Sequence, residues 1–311
     1  MIARLGEVLL QRPYRLIRSD RPLVQAFWSN KVTVVAAAWL VLLSLVTVVG
    51  FWYTPHDTTK VVLANRHLAP LSFTGSGVYW LGTDALGRDL LSRLISGGRI
   101  SVVVAIAGVT GPAVVGTLLG LIAGYHRGPI DDLIMRVVDF MMAMPGLLLL
   151  LVLLYILGPS FTNIIIVFTI DGWVLYCRVV RGLVLSLREQ PFIEAAHTIG
   201  AGNWRIMLRH ILPNTFAHLL TIATLGLAGV ILTEASLSFL GMGVQPPQSS
   251  WGLMVSQGRQ YIDTAWWEVA FSGLTIFFTA LSANIFGLWL RAVNDPLQRW
   301  RWMSIPSARG A

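Results

Sequence analysis

A lipid bilayer offers no water to satisfy backbone N–H and C=O groups, so a chain can cross it only as helices or as a closed barrel. This sequence forces that choice. Residues 32–53 contain no charged side chain, and a helix needs about 20 apolar residues to cross a hydrocarbon core. Further apolar runs follow at about 100–125, 133–157, 163–185, 215–240 and 269–290. They are continuously apolar rather than alternating, which predicts helices. The expected fold class is an all-α membrane protein with six transmembrane helices. Composition agrees: 12% of residues are charged, against about 25% in soluble domains.

The organisation expected is a basic N-terminal segment at 1–31, a first transmembrane helix at 32–53, an external segment with an interfacial helix at 54–99, a five-helix membrane core at 100–294, and a tail at 295–311. The first apolar run has no small-residue cleavage site after it, so it reads as a retained span rather than a signal peptide. Cys177 is the single cysteine. It rules out an intrachain disulfide framework and reads as a small packed hydrophobe.

The net charge of +8 does not point to nucleic acid, because the arginines cluster beside apolar spans. Charge in that position sets topology and meets anionic lipid headgroups. With six spans, 17 of the 23 basic residues fall on the side that holds both termini. That side is therefore expected to be cytoplasmic.

On that same side lies the stretch 191–213, PFIEAAHTIGAGNWRIMLRHILP, a polar and basic island between two spans. Pro191 suits the start of a helix. Phe192, Ala195, Ala196 and Ile199 share one face at helical spacing, with Glu194, His197 and Thr198 on another. Gly200 and Gly202 interrupt. Asn203 is expected to cap a second short helix, and Pro213 to end it. The physical reading leaves two options open: a linker between spans, or a helix–turn–helix on the membrane surface that presents an exposed face.

The stretch LGTDALGRDLLSRLISGGRIS at 81–101 predicts an interfacial helix feeding span two and capped by Thr83 or Asp84, with Asp84–Arg88 and Asp89–Arg93 as i,i+4 pairs. Within the next span, Gly116, Gly120 and Gly124 make a smooth face for close helix contact, and Gly111-Pro112 is expected to loosen it. Pro145 is expected to kink the third span. Pro246-Pro247 forbids helix in the loop after span five. Leu9, Leu10, Tyr14, Leu16 and Ile17 suit a short surface helix near the N-terminus.

Three of these texts resemble one family. Glu194-Ala195-Ala196, Gly200 and Ile211-Leu212-Pro213 are similar to the EAA loop of ABC-importer permeases. The texts at 81–101 and 232–252, with the closing Asn294-Asp295-Pro296, resemble its dipeptide/oligopeptide/nickel branch. The resemblance runs from about Leu81 to Pro296. It implies a type I ABC-importer permease fold in the bacterial inner membrane, with a cytoplasmic coupling helix. It further implies a second permease, two cytoplasmic ATPases that bind ATP and magnesium, and an external substrate-binding protein. The residues it assigns to ATPase coupling are Glu194, Ala195, Ala196, His197, Gly200, Ala201, Trp204 and Arg205.

The chain is not expected to be an enzyme or to hold a cofactor. Its only lysines, Lys31 and Lys60, are each followed by valine, so no GxxxxGK[ST] loop exists, and no His/Cys/carboxylate set has metal-ligand spacing. Ionisable groups within spans are functional candidates by default, which selects Asp139, Asp171 and Glu234. For Glu234 two readings stand, a residue lining the translocation path and a helix–helix hydrogen bond with Ser238 one turn on. Thr224, Ser238 and Asn284 complete the expected path. A peptide importer permease is the leading expectation. A nickel importer permease, a proton- or cation-coupled secondary transporter using Glu234 and Asp139, and a membrane scaffold are the alternatives.

Overall fold

The computed structural model describes residues 27–28, 30–50, 52–75 and 77–294. The surface helix expected near Leu9–Ile17 and the tail at 295–311 lie outside them. Nine helices frame the described chain: α1 Lys31–Val49, α2 Leu90–His126, α3 Pro129–Met142, α4 Gly146–Leu157, α5 Phe161–Arg188, α6 Pro191–Thr198, α7 Asn203–Phe239, α8 Trp251–Gly258 and α9 Trp266–Asn294. Between α1 and α2 a small antiparallel hairpin pairs β1 Ser72–Thr74 with β2 Gly77–Tyr79. Nothing in the sequence reading foresaw that hairpin.

Side-chain caps set several helix starts. Asn30 accepts from the Thr33 amide at 3.3 Å, and Ser160 from the Asn163 amide at 3.2 Å. Asp89 accepts from the Ser92 amide at 2.9 Å, which corrects one expectation. The helix starts at Leu90 rather than at Thr83 or Asp84, and it runs 37 residues through Pro112 to His126 without a break. The interfacial helix and span two are therefore one element. Residues 81–88 fold instead as a compact turn.

Five helices, α1, α2, α5, α7 and α9, are individually long and apolar enough to cross a membrane. The third span is not one helix. α3 and α4 meet at a 93° bend, where Pro145 removes a backbone donor and cannot continue the preceding helix. The pair nevertheless crosses the whole bundle alongside α5. Asp131 meets Arg181 at 2.5 Å, Val138 packs with Val174 and Cys177, and Leu150 and Leu154 pack with Ile164 and Val167. Those α5 partners climb steadily from one end of the bundle to the other, so the bent pair supplies the sixth crossing.

α2 and α5 form the spine. A Cβ on Gly116 would sit 2.3 Å from the Trp173 carbonyl oxygen, and one on Gly120 would sit 2.6 Å from that of Cys177. The small-residue face read from the sequence is thus a backbone-to-backbone contact. Cys177 is fully buried in it. α7 packs on this spine, α9 packs on α7, and α1 lies on α9, with Trp39 Nε1 donating to Thr279 at 3.2 Å.

At one end of the bundle, residues 81–93 make a buried polar cluster instead of the expected surface helix. Asp84 accepts from the Leu86 amide at 2.8 Å, the Arg88 amide at 2.9 Å and the Arg88 guanidinium at 2.7 Å. Arg93 also pairs with Asp84, not with Asp89 as i,i+4 spacing had predicted, and donates to Gln257 at 2.9 Å.

Candidate functional site

The opposite end of the bundle carries α6. Ile193 and Ala196 are buried in a core cluster with Tyr125, Val180, Val184, Ile206 and Met207. One face of this short helix is therefore anchored on the ends of α2, α5 and α7. Its remaining surface is open: Glu194, Ala195 and His197 are exposed, as is Gly200 beyond it. Of the residues assigned to coupling, Ala196 is buried and Ala201 half-buried, so those two serve the anchor rather than the open face. Trp204 and Arg205 are exposed on the adjoining turn.

The turn after α6 has a defined geometry. Gly200 has φ +78°, its amide donates to the His197 carbonyl at 2.9 Å, and the Ala201 amide donates to that of Ala196 at 3.0 Å. This pair of bonds is a Schellman stop, which needs a residue with positive φ at the glycine position. The apolar contact that accompanies such a stop is Ala201 against the Ala196 cluster.

The expected cap is corrected: Gly202, not Asn203, precedes the next helix. The Asn203 side chain instead accepts from the Tyr125 hydroxyl at 3.1 Å, and that hydroxyl lies 3.3 Å from His197 Nε2. Arg188 donates to the Tyr125 carbonyl at 2.6 Å. Tyr125 thus fastens the end of α2 to both sides of the turn.

Pro213 does not end the second helix. α7 passes through it for 37 residues. Its way through is a widened turn at Met207–Ile211, in which the Leu212 amide bonds to the Met207 carbonyl five residues back. A proline ring clashes with the carbonyl four residues before it, and a π-type turn relieves that crowding.

The exposed face includes large apolar groups. Phe192, Ile199, Trp204 and Leu208 are 44%, 84%, 60% and 46% exposed, rimmed by Glu194, His197, Arg205 and Arg209. Clustered exposed apolar surface marks interaction sites.

Of the expected path residues, Glu234 and Ser238 meet, in a buried knot. Glu234 is 2% exposed. It accepts from Ser238 at 2.8 Å and Ser101 at 3.3 Å, and Ser238 lies 3.3 Å from Ser250. This closed knot joins α2, α7 and the start of α8, matching the helix–helix reading of Glu234. Thr224 is half-buried, its hydroxyl donating to the Leu220 carbonyl at 2.9 Å, and Asn284 is exposed on α9.

Asp139 is exposed near the end of α3. Asp171 is different. It lines two adjoining cavities of about 500 and 600 Å³ between α2, the α3–α4 bend, α5 and α7. Gly108, Gly172 and Gly226 line both. The sequence flagged Asp171 as an ionisable group in a span. The cavity itself depends on the sharp bend, which periodicity could not reveal.

Residues 116–300 match the family model described as "Binding-protein-dependent transport system inner membrane component". The chain is 39% identical to a dipeptide transport system permease protein of Alkalihalophilus pseudofirmus, over 91% of each chain. It is also 39% identical to a di/tripeptide transport system permease protein of Pseudomonas aeruginosa, over 88% of this chain and 90% of that one. Identity to a glutathione transport system permease protein of Pectobacterium atrosepticum is 37%, over 90% of this chain and 93% of that one.

Proposed function

Because this chain belongs to the family of binding-protein-dependent transport system inner membrane components, we propose that it pairs with a second permease to form a path for di- or oligopeptides. The path is driven by two cytoplasmic ATPases that hold ATP and magnesium. An external binding protein delivers the cargo. The relatives are named for peptides or glutathione, which favours peptides over nickel. Family membership also sets aside the self-contained transporter and the scaffold.

The observation that carries this reading is the open face of α6 on a buried base. A connection that only joined two spans would have no reason to expose Phe192 on α6 and Ile199 and Trp204 beside it while anchoring Ile193 and Ala196. An ATPase cleft would accept the apolar centre and the Glu194–Arg205 rim. The α6 end, with both termini, is the cytoplasmic end in this reading. Closure of the ATPases would move α6, and α7, continuous with its turn, would carry the displacement into the membrane. The two conformations differ in free energy through that docking contact, which is what coupling between distant sites requires.

The test is affinity extraction from the native membrane followed by mass spectrometry, with uptake assayed in proteoliposomes. P-loop ATPases and a second permease should co-purify. Glu194→Lys should leave insertion intact and reduce ATP-driven uptake at least tenfold. A chain that extracts alone, or a Glu194→Lys variant that transports normally, defeats the coupling role.

A further inference from the structure

The paired cavities hold two charges that the other described residues leave unanswered. Asp171 lines both, and Arg178 lines the larger. Among the described residues Asp171 forms no hydrogen bond or ion pair, and Arg178 meets only the Met142 thioether. Two other charges of these helices are answered: Arg181 pairs with Asp131 at 2.5 Å, and Glu234 is held by serines. Charges within a membrane are costly unless they are used.

The geometry of the pair is regular. Asp171 and Arg178 are seven positions apart on α5, which puts them on one face and about 10 Å apart along the axis. That spacing matches roughly three residues of extended chain. The walls between them are apolar: Val174 and Leu175 line the larger cavity between the two charges, with Met141, Met142 and Met144. Gly108, Gly172 and Gly226 leave backbone room in both cavities, and Thr233 and Ser236 add hydroxyls to the smaller one. A space of about 600 Å³ falls within the usual range of small-ligand pockets.

The α3–α4 bend adds a further element. A Cβ on Gly146, the first residue of α4, would lie 3.5 Å from Asp171 Oδ1. A helix N-terminus carries about half a positive charge. It steadies the carboxylate without cancelling it, leaving net negative charge for a cation.

We propose that Asp171 and Arg178 form a seat for a zwitterionic short peptide in transit, Asp171 accepting the free ammonium end and Arg178 the free carboxylate end. The seat rests on the peptide-importer reading and deepens it. It gives the permease its own preference for short cargo with both termini free, apart from whatever the binding protein selects. Asp171 and Arg178 act here as binding residues, and no chemistry occurs on the cargo.

The experiment uses the assembled importer in proteoliposomes with its own binding protein and trialanine as probe. Asp171→Asn and Arg178→Gln should each lower initial uptake at least tenfold, while Asp171→Glu retains a third or more. A second readout separates binding from structure. Ser236→Cys should react with a maleimide, Cys177 being buried, and turnover with trialanine should slow that labelling at least threefold. Adding Asp171→Asn should abolish the protection. Arg178 is exposed, so Arg178→Gln should fold even if Asp171→Asn does not. If the unmodified importer takes up no trialanine, the peptide-importer reading falls and the seat with it. Normal uptake with Asp171→Asn or Arg178→Gln within twofold of it overturns the seat alone. So does lost uptake with protection intact, which would make Asp171 a brace for the α3–α4 bend.

Discussion

At the scale of single residues, two buried carboxylates hold the end of the bundle opposite α6, by different means. Burial pushes the Asp84 carboxyl up, but the Arg93 guanidinium, the Arg88 amide and the Arg88 guanidinium outweigh it and hold it below the usual carboxylate range. The sign follows directly. The unfolded chain takes up this proton at a higher pH than the folded one, so the stabilisation is complete above about pH 4 and is lost as pH falls further. Protease cleavage of residues 54–89 in proteoliposomes should therefore rise as pH falls below about 4. Asp84→Asn leaves Arg93 buried without its partner, which costs about 3–5 kcal/mol. A clear loss of thermal stability at pH 7 is expected, and an unchanged melting temperature would refute the cluster's role. Glu234 works instead through neutral hydroxyls. Glu234→Gln keeps an acceptor for Ser238 and should keep uptake within about threefold. Glu234→Ala strands the serines, at about 1–3 kcal/mol, and should show first as lost stability of the extracted complex.

At the scale of elements, the turn after α6 is decided by one backbone angle. Nothing lies within 4 Å of a Cβ built on Gly200, so a side chain there meets no obstacle. The penalty is the positive φ, about 1–2 kcal/mol for an ordinary L-residue and least for asparagine. Gly200→Asn should therefore transport nearly as the parent does, and Gly200→Val should lose at least tenfold in ATP-driven uptake with insertion unchanged. Equal uptake by the two variants would show that the Schellman geometry is not what aligns α6. This turn was legible in the sequence because glycine after an amphipathic helix is a local signal, and so was the glycine ladder of α2. The errors arose where distant groups override local ones. Asn203 is a good cap by type, but the Tyr125 hydroxyl, 78 residues away in sequence, claims its side chain. Arg93 sits at the right spacing for Asp89, yet Asp89 turns to cap α2 and Asp84 takes the arginine. Pro213 reads as a stop, and a widened turn makes room for it. Pro145 announced a kink, but whether a kink becomes a 93° bend with a cavity behind it is decided by the packing of α3 and α4 on α5. The cavity flanked by Asp171 and Arg178 was invisible for that reason.

At the scale of the whole molecule, six crossings need one rigid reference against which the rest can move, and the α2–α5 pair has the contacts for it. α7 runs about 45 Å at the usual helical rise from the exposed Trp204 to Glu234, and the Glu234 knot returns it to α2 through Ser101. A push on α6 is therefore delivered to a helix whose far end is fastened to the spine. If the spine yields, the push is dissipated. What keeps it from yielding is direct backbone apposition, because the atoms that would meet a Cβ on Gly116 or Gly120 are main-chain oxygens of α5 at 2.3 and 2.6 Å. A flexible side chain could rotate aside, but a helix backbone cannot. Gly120→Val must therefore push α2 and α5 apart along a contact that also holds Tyr176, Cys177 and Val180, with a penalty at or above the upper end of the roughly 1–3 kcal/mol typical of overpacking. Gly182 lies on the same α5 with open space around its Cβ position, so Gly182→Val is the internal control for valine in that helix. Detergent extraction followed by size-exclusion chromatography should recover the Gly182→Val complex intact and the Gly120→Val complex dissociated or aggregated. Equal recovery of both would mean that α2 and α5 can separate without consequence. α7 would then have no fixed frame to move against.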